Sequence, residues 1–243
     1  MPLLSLNGVC KSYWRGLNET AVLSEVALDV HAGELVAVWG QRGVGKTTLA
    51  MIAAGLERPD CGSVRFEDRE LADRGLEHAR LLHKGIGWMQ RLGPQSGDFR
   101  MILDYVALPL LGTYSPREAR RRASLMLRRL GVADCAQQRW ESLTDGERTL
   151  VALAHALVRD PRLLIADDPT ANLNVLQREE VTSLLRDSAR QEGTGILITV
   201  PDMPEMAYAD RIGSLSDGRL MLANEPEIPK GTVIDFPGAK HSL

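Results

Sequence analysis

The sequence has no paired-cysteine motif, no long apolar run and little net charge, and each absence excludes a class. Its three cysteines, Cys10, Cys61 and Cys135, are odd in number and widely spaced. Such a set fits neither a disulfide framework nor a zinc site, and it predicts three reduced thiols with no disulfide partner. Met1-Pro2-Leu3-Leu4-Ser5-Leu6-Asn7 has no basic stretch ahead of an apolar segment, so it does not read as a signal peptide. The most apolar central run, residues 101–111, is interrupted by Asp104 and Pro109. It falls well short of the roughly 20 apolar residues that a spanning helix requires, so any membrane role must come through a partner. A formal net charge of −3 and a pI near 6.0 give no basic field, and no nucleic-acid partner is expected.

What remains is an ordinary globular composition: 243 residues, 44% hydrophobic and 25% charged, enough for one domain with a smaller insertion. Residues 3–9 and 23–30 alternate apolar and polar imperfectly, as half-buried strands do. Residues 34–39 are apolar on both faces, which suits a central parallel strand covered on both sides. A helix follows over residues 46–54, closed by Gly55. Further apolar runs at residues 85–89, 163–166 and 195–199 are separated by helical stretches, the pattern of crossover units.

Residues 91–159 change character. Ser115-Pro116-Arg117-Glu118 supplies a hydroxyl cap, a first-turn proline and an early acid, and Ala123, Leu127 and Leu130 then recur at helical spacing. This segment reads as a helical subdomain inserted in the sheet domain, with Arg120, Arg121 and Arg122 on a solvated face. A last strand, residues 219–223, follows the Asp217-Gly218 turn. Residues 224–243, with Pro226, Pro229 and Pro237, read as an extended tail outside the 1–223 domain.

Gly40-Gln41-Arg42-Gly43-Val44-Gly45-Lys46-Thr47 fits G-x-x-x-x-G-K-[ST], with an apolar strand before it and a helix, opening on Lys46, Thr47 and Thr48, after it. Glycines let backbone N–H groups wrap phosphates, the helix N-terminus favours anions, Lys46 reaches the β and γ phosphates, and Thr47 offers a hydroxyl to Mg²⁺. The expected ligand is ATP with Mg²⁺, and the expected fold is an α/β P-loop NTPase with a mostly parallel core sheet and N-terminal antiparallel strands. Leu163-Leu164-Ile165-Ala166-Asp167 ends an apolar strand in a carboxylate, which makes Asp167 the candidate metal partner. Asp168, the next residue, is the candidate base for water.

From residue 3 to residue 223 the chain resembles the ATP-binding subunit of an ABC transporter. Ser142-Leu143-Thr144-Asp145-Gly146-Glu147-Arg148 is similar to the family's L-S-G-G-Q signature, followed by a helix over residues 149–158. Gln90 matches the Q-loop, Tyr13 matches the aromatic that stacks on adenine, and Pro169-Thr170-Ala171-Asn172-Leu173-Asn174 looks like the D-loop. The resemblance implies that Gln90 serves the metal and the catalytic water. It also implies that Thr144, Gly146 and Glu147 bind the γ-phosphate held by a second ATP-binding subunit, in a homodimer or heterodimer attached to a membrane permease subunit at the cytoplasmic face. Val106-Ala107-Leu108-Pro109-Leu110-Leu111, then residues 115–122, then Ile165-Ala166-Asp167-Asp168-Pro169-Thr170, is similar to the lipoprotein-releasing and macrolide-exporter branch, whose members work by mechanotransmission.

The chain departs from the family pattern at hydrolytic positions. Asp168 stands where the catalytic glutamate is expected, one methylene short, and Val200 stands where the switch histidine is expected. Valine can neither hydrogen-bond a phosphate nor orient water. Asn174 replaces the D-loop aspartate, and Asp145 and Glu147 alter the signature while keeping its hydroxyl and second glycine. The expectation is firm ATP binding with slowed hydrolysis in the chain's own site.

Overall fold

The computed structural model describes residues 1–71, 85–90, 101–201 and 208–223. Two sheets form the body. The smaller is antiparallel, ordered β2-β1-β4-β5, with β1 at Leu4–Arg15, β2 at Asn18–Val30, β4 at Cys61–Phe66 and β5 at Arg69–Glu70. The larger is ordered β10-β9-β3-β8-β7-β6. Its strands are β3 (Leu35–Trp39), β6 (Ile86–Gln90), β7 (Leu163–Asp167), β8 (Gly195–Val200), β9 (Arg211–Ser216) and β10 (Arg219–Ala223). Only β10 runs antiparallel, joined to β9 through Asp217 and Gly218, both at positive φ.

The period of two along the central strands decides what covers them. Leu35, Ala37, Leu164, Ala166, Ile196 and Ile198 face one core, shared with the helices between β6 and β7. Val36, Val38, Leu163, Ile165 and Leu197 face the other, shared with the antiparallel sheet and with α1 (Lys46–Ala53). Strands buried on both faces must be apolar throughout, which is why these runs are legible as continuous rather than alternating.

Between β6 and β7 the described chain is helical: α2 (Ile102–Ala107), α3 (Pro116–Arg129) and α4 (Asp145–Leu157). Ser115 caps α3 by accepting from the Glu118 N–H at 3.3 Å. The arginine run is a helix face tied by ion pairs, Arg120 to Asp104 at 2.7 Å and both Arg121 and Arg122 to Glu118 at 2.8 Å. The helix expected over residues 149–158 begins earlier, at Asp145, because Thr144 and Glu147 form a capping box there. After β7, α5 (Val175–Glu192) returns the chain to β8. No described helix is long and apolar enough to cross a membrane. The expected tail, residues 224–243, and the start of the expected insertion, residues 91–100, lie outside the described residues.

One expectation is corrected. Cys10 and Cys61 form a disulfide, with Cα atoms 5.0 Å apart, and only Cys135 is a free thiol. The two cysteines are 51 residues apart in sequence, but they are directly opposite in the β1–β4 register. Sequence spacing cannot reveal that neighbourhood. A link closing a loop of this length contributes about 2–4 kcal/mol. Reductant, or Cys10→Ser, is therefore expected to lower the free energy of unfolding by that amount, read from the guanidinium midpoint.

His155 on α4 stacks on Tyr105 with ring centroids 4.3 Å apart, and Trp140 meets the edge of Tyr105 at 5.6 Å. Burial pushes the His155 pKa down from 6.5 to about 4, and Arg159 adds to the shift. The folded value lies below the unfolded one, so this contribution is intact above pH 6.5 and is lost as the pH falls from 6.5 to about 4. The loss is on the order of 3 kcal/mol. His155→Phe, which keeps the stack, should flatten this part of a pH-dependent urea unfolding curve relative to wild type.

Candidate functional site

The turn between β3 and α1 is built by glycines in conformations that side chains resist. Gly43 and Gly45 have φ of 85° and 111°. A Cβ on Gly45 would approach Val22 Cγ1 to 2.7 Å, and one on Gly40 would approach the Leu215 carbonyl oxygen to 2.5 Å. Lys46 opens α1 and folds its ammonium back over the turn, donating to the Gly40 carbonyl at 2.5 Å and the Gln41 carbonyl at 3.1 Å. The turn is thus a preformed ring of backbone around a cation, the shape that receives an anion.

Thr47 and Asp167 meet although 120 residues apart. The Thr47 hydroxyl donates to Asp167 Oδ2 at 2.8 Å, and the Thr199 hydroxyl donates to Asp167 Oδ1 at 2.6 Å. The parallel register carries this contact, since Asp167 ends β7 opposite Thr199 of β8 and opposite Gln90 of β6. Gln90 therefore has its backbone level with the carboxylate; its side chain lies outside the described set.

Thr199 was not anticipated as a site residue. Besides donating to Asp167, its hydroxyl accepts from the Asp168 N–H at 2.9 Å, and the Thr199 carbonyl accepts from the same N–H at 3.1 Å. Asp168 is held at φ 51°, a left-handed conformation for a non-glycine residue. One hydroxyl thus fixes both members of the Asp167-Asp168 pair. The only signal for it in the sequence is its location one residue before the end of a buried strand.

Part of this arrangement lines a cleft of about 560 Å³, with Gly43, Gly45, Lys46, Thr47, Asp167 and Asp168 joined by Arg42, Thr48, Asn172 and Arg178. That volume suits a nucleotide-sized ligand. Tyr13 stands at its margin, 38% exposed, with its hydroxyl 3.5 Å from Thr48 Oγ1 and donating to Glu57 at 2.7 Å. Lys11 pairs with Glu57 and Asp60 and lies 5.6 Å from the Tyr13 ring centroid. Burial would lower the Lys11 pKa, but its bonds to Asp60 and Glu57 prevail and hold it above the usual value. Nothing in the spacing announces Glu57 or Lys11.

Gly40, Gln41 and Val44 complete the turn without lining the cleft, and neither Val200, at the switch-histidine position, nor the signature residues lie in it. Val200 is 0% exposed and packs in the core beneath the helices, so the wall at this point is Pro201. Thr144, Gly146 and Glu147 line a separate cavity of about 290 Å³ with Gln177 and Glu180. The Thr144 N–H donates to the Glu147 carboxylate at 2.8 Å, which holds that carboxyl below its usual pKa range.

A glycine turn around a lysine, a hydroxyl–carboxylate pair beside it and a separate capped helix start form one constellation, and the family model for ABC transporters matches residues 23–171, more than half of the chain. The chain belongs to the ABC transporter family. This ABC ATPase domain is similar to the ATP-binding cassette MJ0796 in a dimeric post-hydrolysis state bound to ADP and Pi. The identity is 27%, with 90% of this chain and 97% of that chain covered and a TM-score of 0.82. It is likewise similar to cbiO1 from Clostridium perfringens, part of the ABC transporter complex cbiONQ, at 25% identity, 92% and 88% coverage and a TM-score of 0.79. ABC ATPase domains bind ATP and generally hydrolyse it, and the chain is homologous to subunits of ABC transporter complexes.

The Thr199 tether yields a measurable cost. Thr199→Val keeps the shape but deprives buried Asp167 of a donor, a loss that costs about 1–3 kcal/mol, and leaves the Asp168 N–H with the Thr199 carbonyl alone. Thr199→Ser should retain most of the stability, so comparing the two by denaturant unfolding separates the hydroxyl from the methyl.

Proposed function

We propose that this ABC ATPase domain is the ATP-binding subunit of a membrane complex in the mechanotransmission branch, with binding intact and hydrolysis in its own site attenuated. Gly40, Gln41, Arg42, Gly43, Val44 and Gly45 wrap the phosphates, Lys46 neutralises them, Thr47 offers its hydroxyl to the metal, Thr48 binds the nucleotide from the first turn of α1, and Tyr13 stacks on adenine. The observation that carries the reading is a contrast between complete binding parts and altered hydrolytic positions. The pairing of Thr47 with Asp167 is complete, whereas the hydrolytic positions hold a short carboxylate at Asp168 and a valine buried in the core at Val200. Thr47, Asp167 and Gln90 offer oxygen ligands only, the donor set of a hard cation such as Mg²⁺. When bound, Mg²⁺ supplies charge neutralisation on the β and γ phosphates.

Asp168 is the base in this reading. A general base must come within about 2.6–3.2 Å of the proton it takes, and displacement by about 1 Å costs on the order of a hundredfold in rate. Thr144, Gly146 and Glu147 serve a second ATP-binding subunit, a reading supported by their separation from the cleft and by the dimeric cassette it resembles. In a homodimer both sites would carry the Asp168 and Val200 defects; in a heterodimer with an intact partner, one composite site escapes them. Attachment to a permease is supported by exposed Leu56, which lines a cavity of about 200 Å³ with Trp88, Pro109 and His155, and by exposed Leu108 and Leu111 in the same chain segment as Pro109, apolar surface of the kind that docks a partner. That attachment puts the subunit peripherally at the cytoplasmic face of the membrane.

The alternative is a regulatory module that binds ATP without hydrolysing it, and the burial of Val200 favours giving it a test. Single-turnover hydrolysis by the purified permease complex discriminates. Asp168→Glu is expected to raise the rate about 10–100-fold, and Asp168→Ala to abolish what this chain contributes. No change in either variant assigns turnover elsewhere. Asp168→Glu combined with Val200→His tests the second defect, with the melting temperature recorded because residue 200 lies in the core.

A further inference from the structure

The cleft carries a cation that the phosphate-binding turn does not supply. Of the described residues lining it, Arg42 and Lys46 belong to the turn or its helix, whereas Arg178 enters from the first turn of α5. Its side chain is half-buried, and its Nε donates to the Leu173 carbonyl at 2.9 Å. The guanidinium is therefore anchored on the D-loop rather than free to extend into solvent. It shares the cleft with Asp167 and Asp168.

Charge accounting gives this arrangement a consequence. ATP differs from ADP by a terminal phosphate that adds negative charge to a cleft already lined by two carboxylates. Asp167 takes hydrogen bonds from Thr47 and Thr199, but hydroxyls bring no charge to offset it. The position where the family has an imidazole holds Val200, buried in the core. A guanidinium lining the same cleft meets both needs, because it offsets carboxylate charge and makes charge-assisted hydrogen bonds to phosphate.

We infer that Arg178, anchored on the Leu173 carbonyl and lining the phosphate cleft with Asp168, is the residue by which this chain discriminates a nucleoside triphosphate from a diphosphate. The inference rests on the reading of the cleft as the nucleotide site. It assigns Arg178 to the terminal phosphate, alongside Lys46, and leaves the α and β phosphates to the glycine turn and Lys46. Removing the guanidinium should thus weaken triphosphate binding selectively.

The test is equilibrium titration of the full chain with ADP and with the β,γ-imido analogue of ATP, in Mg²⁺, for wild type, Arg178→Ala and Arg178→Lys. For Arg178→Ala the triphosphate Kd is expected to rise about tenfold, equivalent to about 1.4 kcal/mol, while the ADP Kd stays within about twofold, as expected for a contact to the terminal phosphate alone. Arg178→Lys should fall between, since it keeps the charge without the planar fork. Unchanged ADP binding certifies the fold; if Arg178→Ala does not fold, Arg178→Gln gives the same ratio. Equal weakening of both nucleotides, or of neither, overturns the inference. A wild type that binds neither nucleotide overturns the site reading instead, a distinguishable failure.

Discussion

The hydrogen-bonded chain Thr47–Asp167–Thr199 is the constraint on which the site depends. It ties α1 to β7 and β7 to β8, three elements distant in sequence, through one buried carboxylate. A carboxylate at that depth is tolerable only with its oxygens satisfied, and each oxygen here accepts from a different hydroxyl. The register of the parallel sheet then follows, because slipping β8 by one residue would turn Thr199 to the opposite face. Asp168 inherits its orientation from the same hydroxyl, so the positions of the metal-type carboxylate and of the candidate base are not independent.

What was legible in the sequence is what local chemistry repeats. The two-faced apolar strands, the glycine turn and the helix it opens could be read because each is dictated by neighbours within about ten residues. The strands β4, β5 and β9 were not anticipated: β5 is two residues long, and β4 contains Gly62 at φ 81° inside the strand. The Cys10–Cys61 link, the Tyr13–Glu57 bond and the Thr199 tether escaped for a shared reason. Each is a contact between segments distant in sequence, and a single chain written in order carries no spacing that encodes it.

Glycines in the site illustrate the difference between a motif and its cause. Gly146 reads in the signature as a place for close approach of an anion. The structure gives an intrachain reason as well, since a Cβ there would come 2.5 Å from Gln177 Nε2. Gln177 is itself committed, its side-chain carbonyl accepting from the Asn174 N–H at 3.2 Å while the Asn174 carboxamide oxygen accepts from the Gln177 N–H at 3.0 Å. Asn174 therefore serves as the cap of α5, a task that asparagine performs as well as the aspartate it replaces. This departure from the family pattern is mild for folding whatever it does across a dimer.

The first turn of α5 joins the two cavities. Successive helical residues project roughly 100° apart, so Gln177 lines the signature cavity while Arg178 lines the cleft beside the glycine turn. A shift of the D-loop that moves the Leu173 carbonyl must carry Arg178 with it through the 2.9 Å bond, and the same rigid turn then displaces Gln177 against Gly146. Packed interiors transmit such displacements because they have few voids to absorb them. In a two-subunit sandwich the phosphate cleft would belong to one ATP and the signature to the other. This short turn would then stand between the two, touching both cavities through adjacent residues.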